Sequence, residues 1–125
     1  MYYKDLDVWK EAINLVKVVY NLTENYPKIE LFGIVSQIRR CAVSVPSNIA
    51  EGVVKHSDKE TLRFLDIALG SLAELDTQMI ISENLGYLSN YADIEVKISR
   101  VRALLKGLIG YYEKQINKDS TVLVP

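Results

Sequence analysis

The sequence predicts an all-α fold, an antiparallel up-down-up-down bundle of four helices. Apolar residues recur at alternating spacings of three and four in four separate segments, as they do along one face of a helix. Only six glycines and three prolines occur among 125 residues, so the helices are long and their connections short, which favours antiparallel neighbours. We assign residues 1–117 to this single bundle and residues 118–125 to a C-terminal tail.

The first helix is predicted to run from about Asp5 to Asn25. Asp5 and Asp7 are candidates for its N-cap. Pro27 disfavours helical backbone at Tyr26 and therefore ends the helix. Its apolar stripe consists of Leu6, Trp9, Ile13, Val16 and Tyr20.

The second helix is predicted to begin near residues 29–31 and to continue to about Gly52. Pro46 lies inside it and has no amide hydrogen for the carbonyl of Ala42, which predicts a kink and a replacement bond from a nearby serine hydroxyl. The apolar stripe of this helix consists of Ile34, Ile38, Cys41, Val45 and Ile49.

A row of polar residues follows the same helical spacing beside that stripe. It consists of Arg40, Ser44, Asn48 and Glu51. Together with Glu74 of the third helix, these residues predict a partly buried polar network in which the two glutamates pair with arginines. The alternative is acid–base catalysis by the two carboxylates.

The third helix is predicted to begin at Ser57, because Ser57 and Glu60 have the spacing of a capping box. Gly86 suits the left-handed position that closes it. The fourth helix is predicted to end near Asn117, with Ser89, Asn90 or Asp93 as its cap, and Val122–Val124 either fray or dock on a neighbour.

The third helix carries more apolar residues than one neighbour can cover. One stripe consists of Leu62, Leu65, Leu69, Leu72 and Met79, and the adjacent faces carry Phe64, Ile67, Ala68, Leu75 and Ile81. A monomer would expose this surplus as a large apolar patch. We therefore expect the chain to associate with copies of itself as a homo-oligomer.

The sequence offers no complete catalytic or metal-binding set. His56 is the only histidine and no Glu-x-x-His motif occurs, which excludes the usual di-iron site of helical bundles and a His-rich zinc site. The only cysteine, Cys41, lies in an apolar stripe, where burial opposes thiolate formation. We therefore predict a protein without enzymatic activity, metal or cofactor.

The sequence also predicts a cytoplasmic protein without a membrane partner. No apolar signal region follows Met1, and no segment approaches the ~18 apolar residues of a membrane span. A single cysteine excludes an intrachain disulfide.

The charge balance allows only a local basic surface. Fifteen basic and sixteen acidic residues give a net charge of −1. The candidate nucleic-acid contacts are Lys55, His56, Lys59 and Arg63 between helices two and three, and Lys97, Arg100, Arg102 and Lys106 on helix four. The alternative is a solvated face on which Asp58, Glu60 and Asp66 offset the positive charge.

Several motifs identify a family resemblance over about residues 3–115. They are Leu6-Asp7-Val8-Trp9, Ser36-Gln37-Ile38-Arg39-Arg40, Ser44-Val45-Pro46-Ser47-Asn48-Ile49-Ala50-Glu51-Gly52, Gly70-Ser71-Leu72-Ala73-Glu74-Leu75 and Leu85-Gly86-Tyr87. They resemble the bacterial four-helix-bundle family encoded in intervening sequences of 23S ribosomal RNA genes, some members of which carry a ribosomal-protein label. That family is similar to the accessory variability protein of diversity-generating retroelements. The resemblance implies a homopentameric ring and, through the retroelement relative, binding to nucleic acid and a reverse transcriptase.

These observations lead to two functional hypotheses. The first is a non-enzymatic, oligomeric helical bundle that binds RNA or DNA or acts as an assembly accessory. The alternative is a protein-binding scaffold without nucleic-acid affinity, whose partner docks on an apolar groove or on the C-terminal tail.

Overall fold

The chain folds into four α-helices in the computed structural model, which describes residues 1–123 and the side chains of residues 1–118. The helices are α1 (Asp7–Thr23), α2 (Ile34–Val53), α3 (Asp58–Asn84) and α4 (Tyr91–Leu123). Single turns of 3-10 helix at Tyr3–Asp5 and Lys28–Glu30 precede α1 and α2. No strand occurs within residues 1–123, so the predicted all-α, four-helix fold is confirmed.

The helices pack in chain order, and α4 closes the bundle against α1. Hydrogen bonds join Gly52 to Thr61 and Ser44 to Ser71. The later residue of α2 thus meets the earlier residue of α3, so the two helices are antiparallel. All four helices contribute to one core. Its largest fully buried side chains include Leu15, Ile38, Ile49, Leu65, Leu72, Leu75, Met79, Ile94, Ile98 and Leu105. Each such burial contributes about 1.5–3 kcal/mol, which makes this core the main source of stability.

The two ends of α3 follow the sequence prediction. The Ser57 hydroxyl accepts a hydrogen bond from the Glu60 amide at 3.1 Å and caps the first turn. The Glu60 carboxylate bonds to Arg63 instead of reaching back to Ser57, so the capping box is half formed. Gly86, at φ 80°, is the only described residue with a left-handed φ and closes the helix.

The start of α2 differs from the prediction. The helix begins at Ile34 and not near residues 29–31, because Lys28–Glu30 forms a separate turn and Gly33 (φ −107°, ψ −116°) breaks the helical path. Pro46 is buried within α2, and the kink predicted there stays a prediction.

The fourth helix is longer than the sequence analysis expected. It extends past Asn117 to Leu123, because residues 111–124 contain neither glycine nor proline to interrupt it. The predicted docking or fraying of Val122–Val124 falls outside the described side chains. Over the residues that are described, no helix has both the length and the apolar run needed to cross a bilayer.

Gly52 marks a close approach between α2 and α3. Its carbonyl accepts a hydrogen bond from the Thr61 hydroxyl at 2.7 Å. A Cβ atom at this position would lie 3.0 Å from the Cβ of Phe64 and 3.2 Å from the Thr61 carbonyl oxygen. The end of α2 therefore rests directly on the first turns of α3, and this contact leaves no space for a methyl group.

We predict that Gly52→Ala lowers the free energy of unfolding by about 1–3 kcal/mol, because the added methyl group must displace α3 backbone. Gly107→Ala is the matched control, since a Cβ at Gly107 meets no atom within 4 Å. The control should gain up to about 1 kcal/mol from helix propensity. Urea unfolding at one protein concentration measures both variants, and equal stabilities would contradict the close packing.

Candidate functional site

A polar network joins α2 to α3 beside Pro46. The Ser44 and Ser71 hydroxyl oxygens lie 2.8 Å apart across the two helices. The Asn48 side-chain amide donates to the Ser44 carbonyl at 2.8 Å and to the Ser44 hydroxyl at 2.9 Å. These three side chains are half-buried. Two of the residues predicted for the network therefore form it, and Ser71 joins them because it faces Ser44 across the helix pair.

The other predicted network residues lie on the surface of the chain. Arg40 donates to the Ser36 hydroxyl at 3.3 Å, and Glu74 accepts from the Cys41 thiol at 3.2 Å. Glu51 has neither a hydrogen bond nor an ion pair with any described side chain. The predicted Arg–Glu pairing is therefore wrong within a single chain.

The arginines expected to pair with these glutamates have other partners. The Nε atom of Arg39 donates to the Thr23 hydroxyl at 3.0 Å, which directs this side chain toward α1. Arg63 pairs with Glu60 of its own helix at 3.2 Å. Both nearby positive charges thus lie away from the exposed carboxylates, and an enclosed acid–base site does not form around them.

Cys41 is buried at the contact between α2 and α3. Burial raises the pKa of its thiol to about 11, and the hydrogen bond to the Glu74 carboxylate acts in the same direction. The thiol is therefore protonated at neutral pH and is a poor nucleophile.

The basic residues at the connection between α2 and α3 are all exposed, and two of them lie over the ring of Phe64. This basic cluster comprises Lys55, His56, Lys59 and Arg63. The Lys55 ammonium and the Arg63 guanidinium lie 4.8 and 4.7 Å from the centroid of the Phe64 ring. Among the described residues, no carboxylate lies within ion-pair distance of Lys55 or Lys59. The structure thus brings Lys55 and Arg63 of the first predicted group together at Phe64.

The second predicted group does not form one patch. Arg100 pairs with Glu11 of α1 at 3.2 Å, whereas Arg102 pairs with Asp76 of α3 at 3.2 Å. Residues two positions apart on a helix point in directions roughly 200° apart, so Arg100 and Arg102 face opposite neighbouring helices. Lys97 lies on the α1 side, and Lys106 is exposed without an ion pair among the described residues.

Asp76 connects α3 to α4 through two partners. It accepts hydrogen bonds from the Tyr91 hydroxyl and from Arg102, and all three side chains are half-buried. Desolvation and the adjacent carboxylate raise the pKa of Tyr91 to about 12, so the hydroxyl keeps its proton and remains a donor. Arg102 therefore serves the fold and is not a free phosphate contact.

Apolar side chains remain exposed on the side of α2 and α3 that faces away from the core. Val54, which directly follows α2, is 58% exposed, and Ile67 and Ile81 of α3 are each 42% exposed. Gly70 lies on the same side of α3. We call this the outer face. Part of the apolar surface that the sequence predicts on α3, beyond what one neighbouring helix can cover, is therefore open to solvent.

Sequence reasoning missed a second exposed apolar surface, on the connection between α1 and α2. Phe32 is 93% exposed and Ile29 is 89% exposed. The sequence does contain a signal for this surface, because Ile29 and Phe32 lie between the helix breakers Pro27 and Gly33. An apolar run in such a connection cannot join the apolar stripe of a helix.

We predict that Asn48→Ala lowers the free energy of unfolding by about 1 kcal/mol, because the mutation removes two hydrogen bonds at a half-buried site. Glu51→Ala is the control on the same helix and should change stability by less than about 0.5 kcal/mol, because Glu51 is exposed and unpaired among the described residues. Urea midpoints measure both variants. Equal destabilisation of the two would show that Glu51 is paired in solution.

The sequence comparison agrees with this architecture. A family model described as 23S rRNA-intervening sequence protein matches residues 4–107. No curated protein matches the chain. The matched region includes α1, α2, α3 and the first half of α4, and with them the polar network, the basic cluster and the outer face. The resemblance expected from the motifs is confirmed, and the chain belongs to the family of 23S rRNA-intervening sequence proteins.

Proposed function

We propose that this protein is a non-enzymatic, self-associating helical bundle that binds RNA or DNA through repeated copies of the basic cluster. The proposal is supported by an exposed apolar outer face together with the exposed basic cluster at one end of the same helix pair, where Lys55 and Lys59 have no acidic partner among the described residues. The outer face supplies the contact between copies. The basic cluster supplies the contact with phosphates.

Self-association would bury the outer face. Val54, Ile67 and Ile81 are large apolar side chains, and burying them stabilises a contact by about 25 cal/mol per Å2. A stable interface needs roughly 800 Å2 from each partner, about the area of one helix face. A contact between two different surfaces of neighbouring copies closes into a ring, and the family resemblance suggests a homopentamer. The kink proposed at Pro46 would curve α2 along this face.

Assembly would also make the basic cluster effective. The chain carries a net charge of −1, so a single copy attracts nucleic acid only locally. Lys55 and Lys59 are exposed without acidic partners among the described residues, and Arg63 shares its charge with Glu60. A ring repeats the cluster around its axis, and the linked contacts bind more tightly than one contact does.

We predict that the wild-type protein has a solution mass several times the 14.2 kDa of one chain, as measured by light scattering. The double variant Ile67→Lys/Ile81→Lys should shift the mass toward a single chain, because it places charges in the apolar contact. Val96→Lys is the control, since Val96 is 70% exposed on α4, outside the outer face. A wild-type mass of one chain at micromolar concentration would contradict self-association.

We predict that the double variant Lys55→Glu/Lys59→Glu binds structured RNA and duplex DNA at least ~10-fold more weakly at low salt, as measured by fluorescence anisotropy. The slope of log K against log salt should fall by about one for each phosphate that the variant no longer neutralises. Lys10→Glu/Lys17→Glu is the charge-matched control on α1. Wild-type affinity that is independent of salt would contradict a phosphate contact.

The alternative is a protein-binding scaffold without nucleic-acid affinity. The exposed Ile29 and Phe32 favour it, because aliphatic and aromatic groups together suit a protein partner. An absence of RNA and DNA binding at low salt, combined with a multimeric mass, would support this second function over the first.

A further inference from the structure

A cleft opens between α1 and the first turns of α2, toward the opposite end of α2 from the basic cluster. Its walls include Tyr20, Leu31, Phe32, Arg39, Arg40 and Val43. It encloses about 470 Å3. Ligand pockets typically have volumes of about 300–1,000 Å3, so the cleft is large enough for one nucleotide unit.

The cleft carries positive charge without a compensating carboxylate. Arg39 lies over Tyr20, with its guanidinium carbon 4.5 Å from the ring centroid, and Thr23 holds its Nε atom at 3.0 Å. Arg40 bonds only to the Ser36 hydroxyl among the described residues. None of the residues that line the cleft is acidic.

The aromatic edge of the cleft is held in position. Phe32 is 93% exposed, although the turn that carries it is anchored on both sides. The Tyr87 hydroxyl donates to the Glu30 carboxylate at 2.9 Å, and the Gly33 amide donates to the Glu30 carbonyl at 3.0 Å. The backbone that carries Phe32 is therefore held in place, and its ring is open to a ligand.

We propose that this cleft binds single-stranded nucleic acid, with a base stacked on Phe32 and the adjoining phosphate held by Arg40. The proposal rests on the nucleic-acid function proposed above and specifies the kind of strand. A flat aromatic side chain beside a guanidinium group that has no carboxylate partner is an arrangement with which proteins hold unpaired bases and their backbone. A duplex hides its base faces and is excluded from this contact.

The test compares a fluorescein-labelled oligouridylate of about twelve nucleotides with an RNA duplex of similar charge. Phe32→Ala should weaken oligouridylate binding by about 10-fold, while duplex binding stays unchanged. Phe32→Tyr should retain the affinity, because the aromatic face is kept. Arg40→Gln should weaken oligouridylate binding and lower its salt dependence. Tyr111→Ala and Lys114→Gln are exposed controls on α4 and should bind as the wild type does.

The outcomes separate this proposal from the general function. If Lys55→Glu/Lys59→Glu weakens binding of both probes and Phe32→Ala weakens neither, the cleft proposal is overturned and nucleic-acid binding stands. If the wild type binds neither probe at low salt, both proposals are overturned. If Phe32→Ala lowers the solution mass but leaves oligouridylate affinity intact, the cleft contacts another copy of the chain and the proposal is overturned. Circular dichroism confirms that each variant is folded.

Discussion

The close pairing of α2 with α3 determines most of what the molecule presents to its surroundings. Gly52 lets the end of α2 rest on the first turns of α3, and Ser44 and Ser71 join the helices farther along. Because these contacts use small side chains, the helices approach closely and their long side chains project away from the seam. Arg40, Glu51 and Glu74 therefore lie on the surface, and the basic cluster gathers where the pair turns.

The core, the contacts between helices and the surface of the bundle carry different kinds of side chain. The core is apolar and draws on all four helices, which leaves few polar groups in the interior. Polar side chains that are at least half-buried lie at the contacts between helices, where Asn48, Thr61 and Asp76 form hydrogen bonds across or along their helices. The surface then carries an apolar outer face, a basic turn and an aromatic cleft at separate places.

The sequence predicted best those features that depend on neighbours along the chain. Ser57 caps α3 and Gly86 closes it, because both effects arise within one helical turn. The start of α2 was misplaced because the apolar run at residues 29–32 resembles a helix start, whereas Gly33 breaks the helical path. The local spacing of apolar residues does not distinguish a helix start from an apolar run that a glycine separates from the helix.

The candidate site was harder to predict, because it depends on which neighbour each side chain faces. Arg100 and Arg102 are close in sequence yet pair with α1 and α3 respectively. Arg39 and Arg40 are adjacent, but one lies on Tyr20 and the other is free of acidic partners among the described residues. The packing of α1 against α2 decides these directions. The apolar stripe of each helix, as read from the sequence, does not show which neighbouring helix a polar side chain faces.

The environment of Cys41 has a consequence for how copies of the chain can be joined. This thiol is the only one in the sequence, lies buried in the seam, and has a pKa raised to about 11. At neutral pH the thiol is therefore protonated and reacts slowly with oxidants, which disfavours a disulfide bridge between copies. Any assembly rests on reversible contacts alone, so the fraction of chains in it rises and falls with the cellular abundance of the protein.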